Sequence, residues 1–526
     1  MTIGHRDTTP LQARLLLIGL ALVVIASYLC GLDNGLAGDD FDWVFAAVKT
    51  VHDPLYLLTA QTYFFRPTEQ AFFTLALLVD GTRFPVYLLG ALLLHLTAAW
   101  LMVELARELT GDAVAAVAAT SWWALHHAHA EVILRPYGIA DPLALVFGLA
   151  SFHAYRRGRP LLAACAMAVA LGGKENAVVL PAVFTVWALL EGTGLRRRML
   201  HAAPLWLMAI VVAGRGIVTR SGAPSYLELS PTALSTFWEN VAGWFGPDLH
   251  YLRFAVLHRD APLIPPLAGA GLLVVALVAL LFVDRPVRFA ALWVPITMLP
   301  SVFVPQQAAR YHYVPMVGAA LLAAVAIAHV RRRWRGRAGM LGAVGVVLAA
   351  QLAWNLVGIQ VEDADFQVYV DLHTQATASF RSDVLPVLSD EPGAVAVFLR
   401  PDGWRWADQV RSAWDRHPWW VPTSYKWLFR RSFGILGFSN TWAFVTAAAV
   451  DRTDTPLFVV VPPEEVRAAV ARGRLRVVVH HESTNTFSLA PSGPAPEGVG
   501  DVTHGAEWVA LQPGTFDPTF QGTAYP

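Results

Sequence analysis

Charge is scarce in this chain of 526 residues. Lys, Arg, Asp and Glu make up 15% of it, against roughly 25% in ordinary globular proteins. The hydrophobic share is 55% and the mean hydropathy is +0.46. That shortage argues against a soluble enzyme and for a polytopic membrane protein. Net charge is lacking too: 39 basic residues stand against 39 acidic ones, which removes the global electrostatic case for a nucleic-acid partner. Cysteine is nearly absent. Cys30 and Cys165 both lie in apolar segments, so neither a disulfide framework nor a redox pair is expected. No 34-residue helical repeat occurs. The apolar run behind Arg6 and Arg14 lacks a small-x-small cleavage site, which reads as an uncleaved first transmembrane helix.

What the chain does have is apolar runs. With about 20 residues per bilayer crossing, candidate spans fall at 11–32, 85–105, 113–125, 139–155, 160–172, 177–190, 202–218, 264–283, 289–304, 311–330 and 339–358. That makes eleven candidates, three of them short, and 68–79 reads as a half-helix. Basic residues test the scheme, because Lys and Arg in short loops stay on the cytoplasmic side. With the N-terminus inside, Arg107, Arg156, Arg157, Arg159, Arg196 to Arg198, Arg285, Arg288 and the arginines of 331–337 all fall on one face. The expected protein is therefore mainly α, a helical bundle of about eleven spans in a plasma (inner) membrane with a cytoplasmic N-terminus.

From residue 360 the long apolar runs stop. Segments 394–399 and 457–461 read as buried strands, 463–472 as a short helix, and 475–480 with 486–489 as a hairpin. The expected organisation is a membrane domain over 1–359, a small extracytoplasmic α/β domain over 360–490, and a Gly/Pro-rich, extended tail over 491–526. Seven tryptophans between Trp404 and Trp442 stand among arginines and lysine. They suit sugar stacking or a seat in the headgroup layer, and the seat is favoured by closeness to the bilayer.

Charges not explained by topology gather in the loops of the opposite face. Asp39 and Asp40 follow the first span; then come Arg66, the set His126, His127, His129, Glu131, Arg135 and Asp141, the neighbours Lys174 and Glu175, and Arg310 beside Tyr311. Polar groups at helix ends on one face usually line a shared cavity. Each has a plainer reading. The Asp pair suits a solvated loop capping the next helix, Lys174 and Glu175 suit a neighbouring ion pair, and Arg310 with its tyrosines suits an interfacial anchor. The His126-His127-Ala128-His129 run matches no metal-ligand spacing, so no metal site is expected.

In order and spacing, Asp39-Asp40, Phe65-Arg66-Pro67, the run from Leu125 to Glu131, Gly138 to Asp141, Gly173 to Pro181 and Arg310 to Pro315 resemble the multispanning glycosyltransferases of the C superfamily (GT-C). Protein O-mannosyltransferase-like and transmembrane-tetratricopeptide-type enzymes are the nearest in pattern, here without the repeats. The likeness covers roughly residues 11–330 and extends to the loop that Pro231 opens and Gly246-Pro247-Asp248 closes. The chain departs from the pattern at Ile139, where Arg is usual, at His127, where Pro is usual, and at Gly173, where a small polar residue is usual.

The resemblance implies an inverting transfer of a sugar from a polyprenyl-phosphate donor to an extracytoplasmic protein, lipid or glycan acceptor, with no cofactor. A loop carboxylate is then the base: Asp40, nearer the following aromatic turn, with Asp39 orienting. Arg66, Arg135, Lys174 and Arg310 would hold the lipid phosphate. His126, His129, Glu131, Asp141, Glu175 and Tyr311 would orient the substrates. A monophosphate donor does not demand a divalent metal, so metal independence is expected. The rival readings are a transporter or flippase of a lipid-linked substrate and a non-catalytic membrane scaffold.

Overall fold

A computed structural model describes residues 10–384 apart from 38–39, 60–64, 220–231, 246–262, 305–307 and 335–337, together with 386–387, 395–399, 457–460, 471–473, 475–481, 486–489 and 508–512. The Trp-rich stretch 404–442 and nearly all of the expected helix 463–472 lie outside the described residues.

The described chain is mainly helical. Its helices are α1 (Pro10–Tyr28), α2 (Asp40–His52), α3 (Tyr56–Thr59), α4 (Pro67–Asp80), α5 (Phe84–Thr110), α6 (Ala113–Ala124), α7 (Ala130–Leu134), α8 (Ala140–Arg156), α9 (Pro160–Gly173), α10 (Leu180–Glu191), α11 (Leu195–Thr219), α12 (Thr232–Gly243), α13 (Pro266–Ala279), α14 (Arg285–Val302), α15 (Met316–Arg333) and α16 (Ala338–Ser379). Every apolar segment read from the sequence overlaps one of them. Four stretches among the described residues are long and apolar enough to cross a membrane: Arg14–Asp33, Phe84–Thr110, Pro136–Arg156 and Gly345–Ala364. The half-helix at 68–79 is α4, whose 14 residues begin with Pro67, a residue preorganised for a first helical turn.

Sequence neighbours pack as pairs: α5 with α6, α8 with α9, α14 with α15. Small residues set how near the pairs approach. At Gly318 a Cβ would lie 2.7 Å from the Ala290 carbonyl oxygen and 3.0 Å from the Trp293 Cβ, so α14 and α15 touch backbone to backbone. Gly318→Ala is expected to separate these helices at a cost of about 1–3 kcal/mol, read as a lower melting temperature in detergent. An unchanged melting temperature would show the contact to be compliant.

The arginine-rich ends meet one another. Arg331 pairs with Asp112 at 3.2 Å, Arg332 donates to the Thr110 carbonyl at 3.1 Å, Arg156 pairs with Glu108, and Arg198 pairs with Glu191 at 2.6 Å. This gathers the basic loops at one end of the bundle. Asp141, Lys174 and Arg310 lie at the opposite ends of α8, α9 and α15 from Arg156, Arg159 and Arg331.

Two boundaries differ from the reading of composition. Helix α16 runs through residue 360 without a break, because residues 359–379 contain neither Gly nor Pro to interrupt it. The C-terminal sheet contains the strands β1 (Val395–Leu399), β2 (Leu457–Val460), β3 (Leu475–His481), β4 (Thr486–Leu489) and β5 (Trp508–Gln512), in the order β2-β5-β1-β3-β4. The hairpin β3–β4 is where the sequence places it, with Val478 opposite Leu489. Strand β5 comes from the stretch expected to be an extended tail. It pairs antiparallel with both β1 and β2. Strand β4 packs against α16 and the turn Phe380–Val384 that ends it.

Candidate active site

The polar end of the bundle is built around the turn 126–139. Apolar α6 ends at Leu125, and His126 then starts a 3-10 turn by accepting the Ala128 N–H on its own Nδ1 at 3.2 Å. That contact fixes the tautomer: Nε2 carries the proton and donates to the Trp244 carbonyl at 3.0 Å. Short α7 follows and brings Glu131 inward. A second 3-10 turn, Pro136–Ile139, folds back so closely on it that a Cβ at Gly138 would lie 2.5 Å from the Val132 carbonyl oxygen.

Glu131 is the hub. Its side chain is 3% exposed and accepts from the Arg310 guanidinium at 2.7 Å, from the Arg310 backbone N–H at 3.0 Å and from the Tyr137 hydroxyl at 3.3 Å. Arg135 stands 3.9 Å away and donates to the same hydroxyl at 3.0 Å. Burial alone would raise the Glu131 carboxyl, but Arg310 and Arg135 outweigh it and hold it below the usual range.

Asp40, at the start of α2, is fully buried. One carboxylate oxygen accepts the Ala37 N–H at 2.8 Å and the other the Tyr137 N–H at 2.7 Å. Tyr137 therefore joins the first loop to the hub, by its backbone to Asp40 and by its hydroxyl to Glu131. The side chain of Asp39 lies outside the described residues.

Lys174 and Glu175 are adjacent in sequence but take different partners. Lys174 is extended at the end of α9, with φ −153° and ψ 138°, while Glu175 begins a 3-10 turn. Lys174 binds Asp141 at 2.6 Å. Glu175 receives a two-pronged contact from Arg66, 2.7 Å from Nε and 2.9 Å from a terminal nitrogen. That contact overcomes the upward push of burial and holds the Glu175 carboxyl down at about 2. Tyr311 lies between two cations, its ring centroid 5.6 Å from the Lys174 ammonium and 5.5 Å from the Arg310 guanidinium. A small cavity opens between Asp141, Lys174 and Asn176.

The segment carrying Arg310 is pinned by indole N–H groups. Trp123 donates to the Tyr313 carbonyl at 3.1 Å, Trp293 to the Val314 carbonyl at 3.0 Å, and Trp244 to His312 Nδ1 at 2.9 Å. His129 is buried among the rings of Trp123, Tyr313 and His95, and neither of its ring nitrogens has a hydrogen-bond partner among the described residues. Burial, helped by neighbouring imidazoles, lowers His126 and His129 well below the ordinary value. These rings are neutral near pH 7. They offer hydrogen bonds rather than charge.

Contacts thus run from Asp40 through Tyr137, Glu131, Arg310 and Tyr311 to Lys174 and Asp141, with the Arg66–Glu175 pair beside them. Each of the four expected phosphate-binding cations has a carboxylate within 4 Å. Among the described residues no group of three His, Cys, Asp or Glu side chains is arranged to hold a metal ion. The sequence reading missed Tyr137, whose aromatic type is unremarkable near a membrane, and Glu69, which binds Arg66 at 3.1 Å. An acid in the first turn of α4 already has a sufficient role in complementing the helix dipole.

No protein-family model and no curated protein matches the chain. Solved structures do. The chain is similar to the archaeal oligosaccharyltransferase AglB from Archaeoglobus fulgidus in complex with an inhibitory peptide and a dolichol-phosphate, at 14% identity and TM-score 0.43 over 69% of this chain and 57% of that one. The Archaeoglobus fulgidus oligosaccharyltransferase in its apo form matches at 12% identity and TM-score 0.44, over 81% and 64%. ArnT from Cupriavidus metallidurans bound to undecaprenyl phosphate matches at 14% and 0.39, over 84% and 78%. The chain spans less than two thirds of the length of the two oligosaccharyltransferase chains. All three likenesses are at 14% identity or less.

Proposed function

We propose that this chain is a membrane glycosyltransferase that moves a sugar, with inversion, from a polyprenyl-phosphate donor to an acceptor on the extracytoplasmic side. The observation that carries the reading is the buried network itself. Four separate segments supply Arg66, Arg135, Lys174 and Arg310, each with a carboxylate within 4 Å. Fixed cations at a partly buried site suit a leaving phosphate, whose charge grows as the bond to the sugar breaks.

In the proposed reaction a first-loop aspartate, Asp40 or Asp39, takes the proton from an acceptor hydroxyl. The freed oxygen attacks the anomeric carbon from the face opposite the phosphate. The sugar–phosphate bond breaks, and polyprenyl phosphate leaves with its electron pair. His126, His129, Glu131, Asp141, Glu175 and Tyr311 fix the surroundings, mostly by holding the cations in place. A transporter would place its charges near the bilayer midplane, whereas these sit at helix ends.

The test is donor consumption by the purified chain in lipid vesicles. Free polyprenyl phosphate is expected to appear when a polyprenyl-phosphate sugar and a hydroxyl acceptor are supplied, and Asp39→Asn is expected to slow this by roughly a hundredfold or more if that residue is the base. A donor that crosses the vesicle with its sugar attached would identify a flippase instead.

A further inference from the structure

Glu69 sits in the first turn of α4, a helix too short to span a bilayer, and its side chain is wholly buried. One oxygen, Oε2, accepts from Arg66 at 3.1 Å. The other, Oε1, has no hydrogen-bond partner among the described residues. Arg66 gives its two shorter contacts to Glu175. One guanidinium therefore serves two carboxylates, and Glu69 has the smaller share.

The charged groups facing Glu69 are few. Arg66 approaches from the segment before α4, and Lys174 and Glu175 from the turn after α9. Lys174 is already bound to Asp141 of α8. On α2, Lys49 is buried and lies 5.3 Å from the Tyr56 ring. Arg66 is balanced by Glu175 and Lys174 by Asp141, so an ionised Glu69 would be a surplus negative charge in a dry site. A group in that position takes up a proton rather than bear the desolvation cost. Burial pushes the Glu69 carboxyl up to about 8, against the pull of Arg66.

We propose that Glu69 is protonated in the resting protein and that its Oε1 hydroxyl donates a hydrogen bond to the phosphate of the incoming lipid-linked donor, so that donor binding requires this proton. This rests on the polyprenyl-phosphate reading of the site. A phosphate ester has acceptor oxygens only. An ionised carboxylate beside it repels, whereas a neutral carboxyl donates. The same proton lets Arg66 keep its contact with Glu175 while the phosphate enters, since no further cation has to be released.

Two measurements test this. The first is infrared difference spectroscopy of wild type against Glu69→Gln. A protonated-carboxyl band is expected at neutral pH in the wild type, fading as pH rises through about 8. No such band overturns the proposal. The second is binding of undecaprenyl phosphate to the protein in lipid nanodiscs from about pH 6 to about pH 9. Because the folded carboxyl titrates above its ordinary value, the binding-competent form is complete at low pH and lost at high pH. Wild-type affinity is expected to fall about tenfold per pH unit above that point.

Glu69→Gln keeps a neutral donor, so its affinity is expected to lose this high-pH fall. Glu69→Ala is expected to bind about tenfold more weakly at neutral pH. The headgroup's own titration is common to all three proteins. If Glu69→Gln shows the wild-type fall with pH, or cannot bind, the proposal fails while the functional reading stands. If the wild type binds no undecaprenyl phosphate at any pH, the functional reading fails and takes the proposal with it.

Discussion

Asp40→Asn is expected to lower sugar transfer by roughly 10²–10⁴-fold, the range for loss of a general base. Its stability is expected to fall as well, because the carboxylate accepts two backbone N–H groups at 2.8 and 2.7 Å in a fully buried position. Asparagine supplies one acceptor and one donor, so a backbone N–H must face an NH₂ group, at a cost of about 1–3 kcal/mol. Asp40→Ala leaves both amides unanswered and is expected to cost more. Activity therefore has to be read beside the melting temperature. Asp39→Asn supplies the contrast: a large loss of turnover there with an undisturbed fold would make Asp39 the base and Asp40 the group that holds the loop. Should Asp40→Asn turn over within a few-fold of wild type, Asp40 is not the base.

Glu131→Ala is expected to be the most damaging single change to stability, at about 3–5 kcal/mol for a buried pair stripped of one partner. The lower end of that range applies, because the Arg310 side chain is 26% exposed and water can take part of its charge. Arg135 has no such relief at 3% exposure. The pH dependence has a definite sign. Glu131 is held below its ordinary value of 4.5 in the folded protein, so its contribution is present above that value and disappears as pH falls further. Wild type should thus lose stability on acidification below about pH 4.5, and Glu131→Ala, already lower, should show less of that loss. Thermal unfolding in detergent across this range checks both. Equal acid sensitivity in the two proteins would mean that Glu131 is not the group responsible.

Hydropathy located the helices well because a run of apolar residues long enough to cross a bilayer leaves few other options. It was blind to where helix α16 stops, since composition registers solvent rather than hydrogen bonding. Strand β5 was missed for a related reason: five residues among glycines and prolines show a strand only when their partners β1 and β2 are known. The site charges stood out against an apolar background. Their pairing did not. Lys174 and Glu175 look like partners in sequence, and a single extended residue between α9 and the next turn sends them to Asp141 and Arg66 instead. Tyr137 is the plainest case, because its use depends on a backbone N–H and a hydroxyl pointing to two different acids. No residue type encodes that.

The unbroken helix α16 also decides where the chain can be cut. At roughly 1.5 Å per residue its 42 residues extend about 63 Å. From Asn355 onward it touches the polar end: Asn355 meets His127, Asp363 accepts from Asn34 at 3.0 Å, Phe366 lies 5.0 Å from the Arg135 guanidinium, and Val370 fills the space beside Gly35. A fragment ending at residue 359, where the composition changes, would strip Asn34 and Arg135 of these neighbours and expose a cation that the full chain keeps dry. Any dissection meant to preserve the site has to carry the helix and its closing turn through Val384, and the C-terminal sheet is removed only beyond that point.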